Sequence, residues 1–412
     1  MQAKTIVVLG GGVGGMVAAN ELRRRLPPEH RVVLVERNAQ HAFAPSFLWV
    51  MTGDRQPEQI RRPLAGLLRR GVEVVQGEVT GIDTAQRRVR TSGAEIGYDQ
   101  LVVTLGAELA PDAIPGLAGA HTFYTYEGAA RLRDELRAFT GGRIAVVVAA
   151  MPYKCPGAPH EGAMLIADCF RRRGLSNQVE VHLFTPEAQP MPVAGPQLGE
   201  AVRGMLKSKG IEFHGLHKLS SVDAEARRLR FDGGNEFDYD LLVAIPPHRA
   251  PRVVVEAGLT NQAGWVPVDP HTLATKEAGV YAIGDIAAIP IPGRWKPDVP
   301  LMLPKAGVFA HAQAEVVAGR IADEMTGRAA EAKFCGDGYC MLEAGEDVAG
   351  FAYGNFFAEP SPEVRLKQIG KAWHLGKVLF EQWWLAPVGL RRRVIGWVVR
   401  AGGKLYGIPV KL

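Results

Sequence analysis

Cys155 stands in the run Met151, Pro152, Tyr153, Lys154, Cys155, Pro156, Gly157, Ala158, Pro159. A strand-like run, Arg143 to Ala150, feeds it, and a helical pattern from about His160 to Arg173 follows. That is the strand, turn and helix plan of a nucleotide-binding half, without the glycines that would admit a pyrophosphate. A thiol at such a crossover, beside Lys154, has a cation and a helix dipole to favour its thiolate. The chemistry implied is redox or nucleophilic; the alternative is a buried, inert cysteine. Glu161, just past the loop, offers a proton acceptor, or equally a cap for the helix that starts there.

The N-terminal half keeps what this turn lacks. Gly10, Gly12 and Gly15 satisfy G-x-G-x-x-G between an apolar strand, Thr5 to Leu9, and a helix, Met16 to Arg25. Glu36 ends the next strand, where an acid would accept from a ribose. Gly106 follows an apolar strand, and Tyr281 to Asp285 reads Tyr-Ala-Ile-Gly-Asp after another, so Gly106 and Gly284 bring backbone against a cofactor. Asp285 is placed to accept from a ribityl hydroxyl, or to cap a turn. Lys305, at the start of the next helix, sets positive charge near a flavin's pyrimidine edge unless it is plain surface charge. The spacing predicts one bound FAD, with a thiol in place of a second dinucleotide.

Cys340 lies in Gly336, Asp337, Gly338, Tyr339, Cys340, which reads as a flexible loop able to fold over a flavin. Cys335, five residues away, allows a local bridge to Cys340 instead. Cys169 sits in a helical run with Ile166 and Phe170 and reads as core. Four scattered cysteines form neither a disulfide scaffold nor a zinc site, so no metal is expected.

These sites need two dinucleotide-type units to carry them, and 412 residues at 47% hydrophobic suffice for two or three cores. The expected fold is α/β: two Rossmann-like dinucleotide-binding domains plus an amphipathic C-terminal membrane-contact region. Residues 1–106 and 265–327 form a discontinuous FAD domain, 107–264 a second Rossmann-like domain carrying Cys155, and 328–412 the C-terminal region. Val72 to Gln76, Gly81 to Asp83 and Arg87 to Arg90 read as a small antiparallel insertion. Net charge is only +5, but Ser361 to Leu412 holds ten Lys and Arg against two Glu. There Phe356, Phe357, Phe380, Trp383, Trp384 and Trp397 crowd with aliphatic residues, and Arg391, Arg392, Arg393, Arg400 and Lys404 interleave. That pattern suits a helix lying in a headgroup layer. A strand beginning at Thr5 leaves no room for a signal peptide, and no run is long enough to span a bilayer. A peripheral, monotopic membrane protein is expected, with no nucleic-acid partner and with a homo-oligomer left open.

The three cofactor motifs, in this order, resemble the two-dinucleotide-domain flavoprotein disulfide reductases. The loop Pro152 to Pro159 resembles the cysteine loop of sulfide:quinone oxidoreductases and the related flavocytochrome c sulfide dehydrogenases. Phe334 to Met341 resembles that family's second cysteine segment, and Lys377, Val378, Leu379, Phe380 its quinone segment. The resemblance implies a Cys155 and Cys340 redox pair that sulfide opens. Two electrons pass to FAD, zero-valent sulfur or polysulfide leaves, and a membrane quinone accepts the electrons with Phe380 stacking on it and Lys377 holding or protonating its carbonyl. No cysteine precedes Cys155, unlike many members that have a third. Rival readings are a sulfide dehydrogenase subunit feeding a cytochrome, an NAD(P)H:quinone oxidoreductase, and a non-catalytic flavin redox sensor.

Overall fold

Ile6, Val7, Val8 and Leu9 are wholly buried, because a parallel strand at a sheet centre is covered on both faces. The computed structural model of the protein describes residues 3–408 and 410. Its first sheet is parallel throughout, in the order Val280–Ala282, Gln100–Val103, Thr5–Leu9, Arg31–Glu36, Val72–Gln76. Helix α1 (Val13–Arg25) follows the glycine turn. Val72–Gln76 corrects the sequence expectation: it is the edge strand of this sheet, not part of an antiparallel insertion. None of its residues is fully buried, as befits an edge, and Glu73 pairs with Arg31 on the neighbouring strand at 2.8 Å. The antiparallel meander holds only Val79–Asp83, Arg88–Thr91 and Glu95–Gly97.

A second parallel sheet runs Ile211–His214, Val179–Phe184, Gly142–Val148, Leu241–Ile245. The cysteine loop leaves Gly142–Val148 and enters α2 (Ala158–Arg172), which buries Ile166 and Phe170 beneath it. The two Rossmann-like units of the sequence reading are therefore present. Helix α3 (Gly307–Met325) packs along α1 under the first sheet.

The C-terminal region contains more than the expected amphipathic tail. Asp337–Glu343, Ala349–Asn355 and Glu363–Gly370 form an antiparallel sheet, followed by α4 (Lys371–Leu385) and α5 (Leu390–Leu405). Cys340 is thus held at the centre of a strand, opposite Ala352, and not in a flexible loop. Gly338 misled the reading: it is there because the Phe309 ring of α3 lies 2.4 Å from where a Cβ would stand. The aromatic residues divide as well. Trp383 and Trp384 turn inward, while Leu390, Val394, Trp397 and Val398 make an exposed stripe at helical spacing on α5, with Trp397 67% exposed. Arg392 stacks 4.5 Å over Trp383 and fixes α5 against α4. No helix among the described residues is long and apolar enough to cross a membrane.

Candidate active site

The N-terminal turn has the geometry of a dinucleotide cradle. A Cβ on Gly15 would stand 1.7 Å from the Gly10 carbonyl, and one on Gly10 would stand 2.8 Å from the Thr104 carbonyl, so packing requires both glycines. Gly12 differs, since a Cβ there would meet nothing within 4 Å, and the same holds at Gly106. These are openings that an alanine methyl would partly fill and a ligand's phosphates can approach. Gly12 caps α1 without a side-chain bond, which leaves the first helical N–H groups to a ligand. The Glu36 carboxylate accepts from Gly11 N at 2.6 Å and from Asn38 N at 2.8 Å, at the mouth of the turn.

Gly284 adopts φ +75° and donates to Gln313 at 2.7 Å. Among the described residues the Asp285 carboxylate makes no hydrogen bond, so it caps no turn and is free to accept from a bound polyol. Burial raises its pKa, against the lowering from Lys154 and Lys305. Lys305 is no surface charge. Its ammonium bonds the Ala287 carbonyl at 3.3 Å and lies 3.6 Å over the Trp265 ring, and burial lowers its pKa to about 8.

The cysteine loop docks on the same segment. Cys155 N donates to the Lys305 carbonyl at 2.6 Å, and the Cys155 carbonyl accepts from Ala158 N at 3.0 Å. These bonds hold Cys155 at φ +57°, a left-handed conformation that a non-glycine residue keeps only when its surroundings fix it. Cys155 and Cys340 line one cavity of about 700 Å³. Cys335 is exposed, its thiol turned to the Lys333 carbonyl, and lies outside that cavity.

The expected thiolate at Cys155 is not what the structure holds. Burial pushes this thiol up to about 12, with Glu161 adding to the rise and Lys377 opposing it. Lys154 is not among the leading influences on Cys155, and its charge bears on Asp285 and His248. Burial likewise raises Cys340 well above the usual thiol range, with Glu161 and Cys155 adding to the rise. Sequence reasoning placed the cation but had no way to see the desolvation.

Glu161 does not cap α2; Gly157 does, without a side-chain bond. Its carboxylate is 2% exposed and accepts from Lys377 Nζ at 2.6 Å and from Glu343 N at 3.0 Å. Burial alone would lower the Lys377 pKa, but Glu161, Glu343 and Cys340 hold it raised. Lys377 therefore joins Glu161 beside the thiols, and His374, one turn earlier on α4, donates to Glu343 at 2.8 Å. Phe380 packs instead in an aromatic cluster with Phe43 at 5.9 Å, Trp383 at 5.5 Å and Trp384 at 6.3 Å.

One pairing at the site escaped the sequence reading, which named Trp384 only among the tail aromatics and did not name His41. Trp384 Nε1 donates to His41 Nε2 at 2.8 Å, which makes Nδ1 the protonated nitrogen, donating to the Gly11 carbonyl at 3.2 Å. Burial lowers the His41 pKa and keeps the ring neutral for this relay. It ties α4 to the glycine turn across 343 residues of sequence, a separation that no local pattern could have revealed.

Residues 4–314 match the family model described as pyridine nucleotide-disulphide oxidoreductase. The chain belongs to that family. It is an FAD-binding oxidoreductase. It is similar to the sulfide-quinone reductase of Aquifex aeolicus, 27% identical over 94% of this chain and 91% of that protein. The mitochondrial sulfide:quinone oxidoreductase of Dictyostelium discoideum is 25% identical over 91% of this chain and 83% of its own length. The solved Aquifex aeolicus sulfide:quinone oxidoreductase shares the fold, with a TM-score of 0.82, 24% identity, and coverage of 97% of this chain and 92% of that one.

Proposed function

We propose that this oxidoreductase oxidises sulfide to zero-valent sulfur or polysulfide at a Cys155 and Cys340 pair and delivers the electrons through FAD to a membrane quinone. The observation that carries the reading is the meeting of Cys155 and Cys340 in one cavity, where a second nucleotide loop has been lost. When bound, FAD supplies a two-electron acceptor that can be emptied in turn by a quinone. In this reading Gly10, Gly12 and Gly15 admit its pyrophosphate and Glu36 its ribose. Gly106, Gly284 and Asp285 line the path toward the ring, and Lys305 stations a charge by the segment that joins it to the cysteine loop. Residues 1–106 with 265–327 would form the cofactor domain and 107–264 the thiol-bearing one.

The thiols are too weakly acidic to act as resting thiolates, so the pair is read as a bridge that sulfide opens, yielding a persulfide and a thiolate. Glu161 and Lys377 then serve that step. The ammonium stabilises the thiolate that leaves, and the carboxylate keeps the ammonium charged. Phe380, with Phe43 and Trp384, supports an aromatic approach for quinone, and Lys377, one turn away, supplies the cation for its carbonyl. The exposed stripe of α5, flanked by Arg391, Arg393 and Arg400, would lie in the headgroup layer and open that approach to lipid.

The test is anaerobic. Sulfide added to the flavin-loaded protein should bleach the flavin band, and a quinone should restore it. Bleaching by NADH and not by sulfide would refute the reading.

A further inference from the structure

Among the described residues, the cavity holding the two thiols has one carboxylate in its lining, and it is not Glu161. Glu187, three residues past the strand Val179–Phe184, lines the cavity together with Cys155 and Cys340. Its Oε2 accepts from the Tyr153 hydroxyl at 2.8 Å and from the Thr185 hydroxyl at 3.3 Å. Tyr153 belongs to the cysteine loop, two residues before Cys155. No Lys, Arg or His is paired with Glu187 among the described residues. The other titratable groups near it are Tyr124, whose hydroxyl reaches the Cys155 carbonyl at 3.4 Å, and, in the wall of the same cavity, the two thiols, Tyr339, Tyr353 and Lys305.

Two buried carboxylates thus meet opposite surroundings. Glu161 is locked to an ammonium, whereas Glu187 has only hydroxyls, and burial pushes its pKa up to about 7 against the lowering from Tyr153 and Thr185. A carboxylate of this kind can gain and lose a proton near neutral pH, and such divergent pairs mark acid and base roles. The rest of the lining is mostly apolar, with Met151, Met191, Leu198 and Ile289 among it. An unpaired anion is costly to desolvate there, so sulfide enters more easily as neutral hydrogen sulfide than as the hydrosulfide anion.

We propose that Glu187 is the proton acceptor for sulfide in this cavity, converting neutral hydrogen sulfide to the hydrosulfide that attacks Cys155. The inference rests on the sulfide reading above. One S–H proton moves to the Glu187 carboxylate. The hydrosulfide forms an S–S bond to Cys155 Sγ, the bond from Cys155 to Cys340 breaks, and its electron pair leaves on Cys340 Sγ. The bridge closes again when two electrons are withdrawn, which is the chemistry bound FAD would supply. The bond from Cys155 Sγ to the outer sulfur breaks, the bond to Cys340 Sγ forms, and the outer sulfur leaves on a second hydrosulfide as a polysulfide. Its proton and the one held by Glu187 pass to solvent.

The experiment is rapid-mixing flavin reduction by saturating sulfide across about pH 5.5–9, where the limiting rate reports groups of the complex and not the ionisation of free sulfide. The wild-type rate should fall as pH drops through about 7, because protonated Glu187 accepts nothing. Glu187→Gln, which keeps the acceptor for Tyr153, should lose this limb and react about 100-fold more slowly or worse. Glu187→Asp should retain the limb. Tyr153→Phe removes a bond that lowers the Glu187 pKa, so its limb should move to higher pH, a shift that a purely structural role would not produce. A Gln variant with wild-type rate and limb, or an unmoved limb in Tyr153→Phe, overturns the proposal. Failure of sulfide to reduce the wild-type flavin at all would instead sink the function on which it rests.

Discussion

Replacing Glu161 by Gln should make both buried thiols more acidic. Gln keeps the volume and an acceptor for Lys377 and Glu343 N, and the Glu343 carboxylate still raises the Lys377 pKa, so what changes is one negative charge. The Cys340 sulfur and Glu161 Oε2 lie 3.3 and 3.6 Å from the same point, the position of a Cβ on Gly157, so they are no more than about 7 Å apart. Coulomb's law with an effective dielectric constant of about 20 then gives about 2 kcal/mol. That corresponds to about 1.5 pKa units, and so to a roughly 30-fold larger thiolate fraction below the pKa. The assay is anaerobic alkylation of the reduced protein by iodoacetamide at about pH 9, with each cysteine followed by peptide mass. Labelling of Cys340 should quicken by about that factor and labelling of Cys155 should also rise, while exposed Cys335 should not change. Equal or slower labelling of Cys340 in the variant would refute the electrostatic account of this pair.

Gly15→Ala should fail to yield folded, yellow protein, since its methyl would collide with the Gly10 carbonyl; Gly12→Ala should fold normally but retain less FAD, measured as the flavin-to-protein absorbance ratio. The hydrogen bond to Glu343 raises the His374 pKa, so the stabilisation it gives is full below the unfolded value and fades as pH rises through the higher folded value. His374→Ala should therefore lower the melting temperature more at about pH 6 than at about pH 9, and an equal loss at both would contradict the pairing. Trp397→Glu, on the exposed stripe, should leave flavin content and melting unchanged while reducing co-sedimentation with anionic lipid vesicles.

What the sequence made legible is local. The strand, glycine turn and helix from Thr5 to Arg25, the crossover at Cys155, and the helix after Lys305 follow from apolar runs and turn residues within a few positions of one another. Long-range pairing was not legible. Glu161 and Lys377 are 216 positions apart and His41 and Trp384 are 343, and nothing in either segment announces the other. The Asp337–Glu343 strand was hidden by Gly336 and Gly338, which look like loop residues until Phe309 and Phe357 are seen occupying the space where their Cβ atoms would stand. The thiolate expectation failed for a related reason. Lys154 is visible beside Cys155 in the chain, but the desolvation that outweighs it comes from the tertiary structure.

The central claim is that Cys155 works with Cys340 and not with Cys335. Its most direct test is the rate of anaerobic flavin reduction by sulfide in three single variants, Cys155→Ser, Cys340→Ser and Cys335→Ser, each checked for retained FAD. The account predicts that Cys335→Ser reacts like the wild type while the other two lose rapid reduction. A Cys335→Ser variant that has lost it, beside a Cys340→Ser variant that has not, would contradict the account.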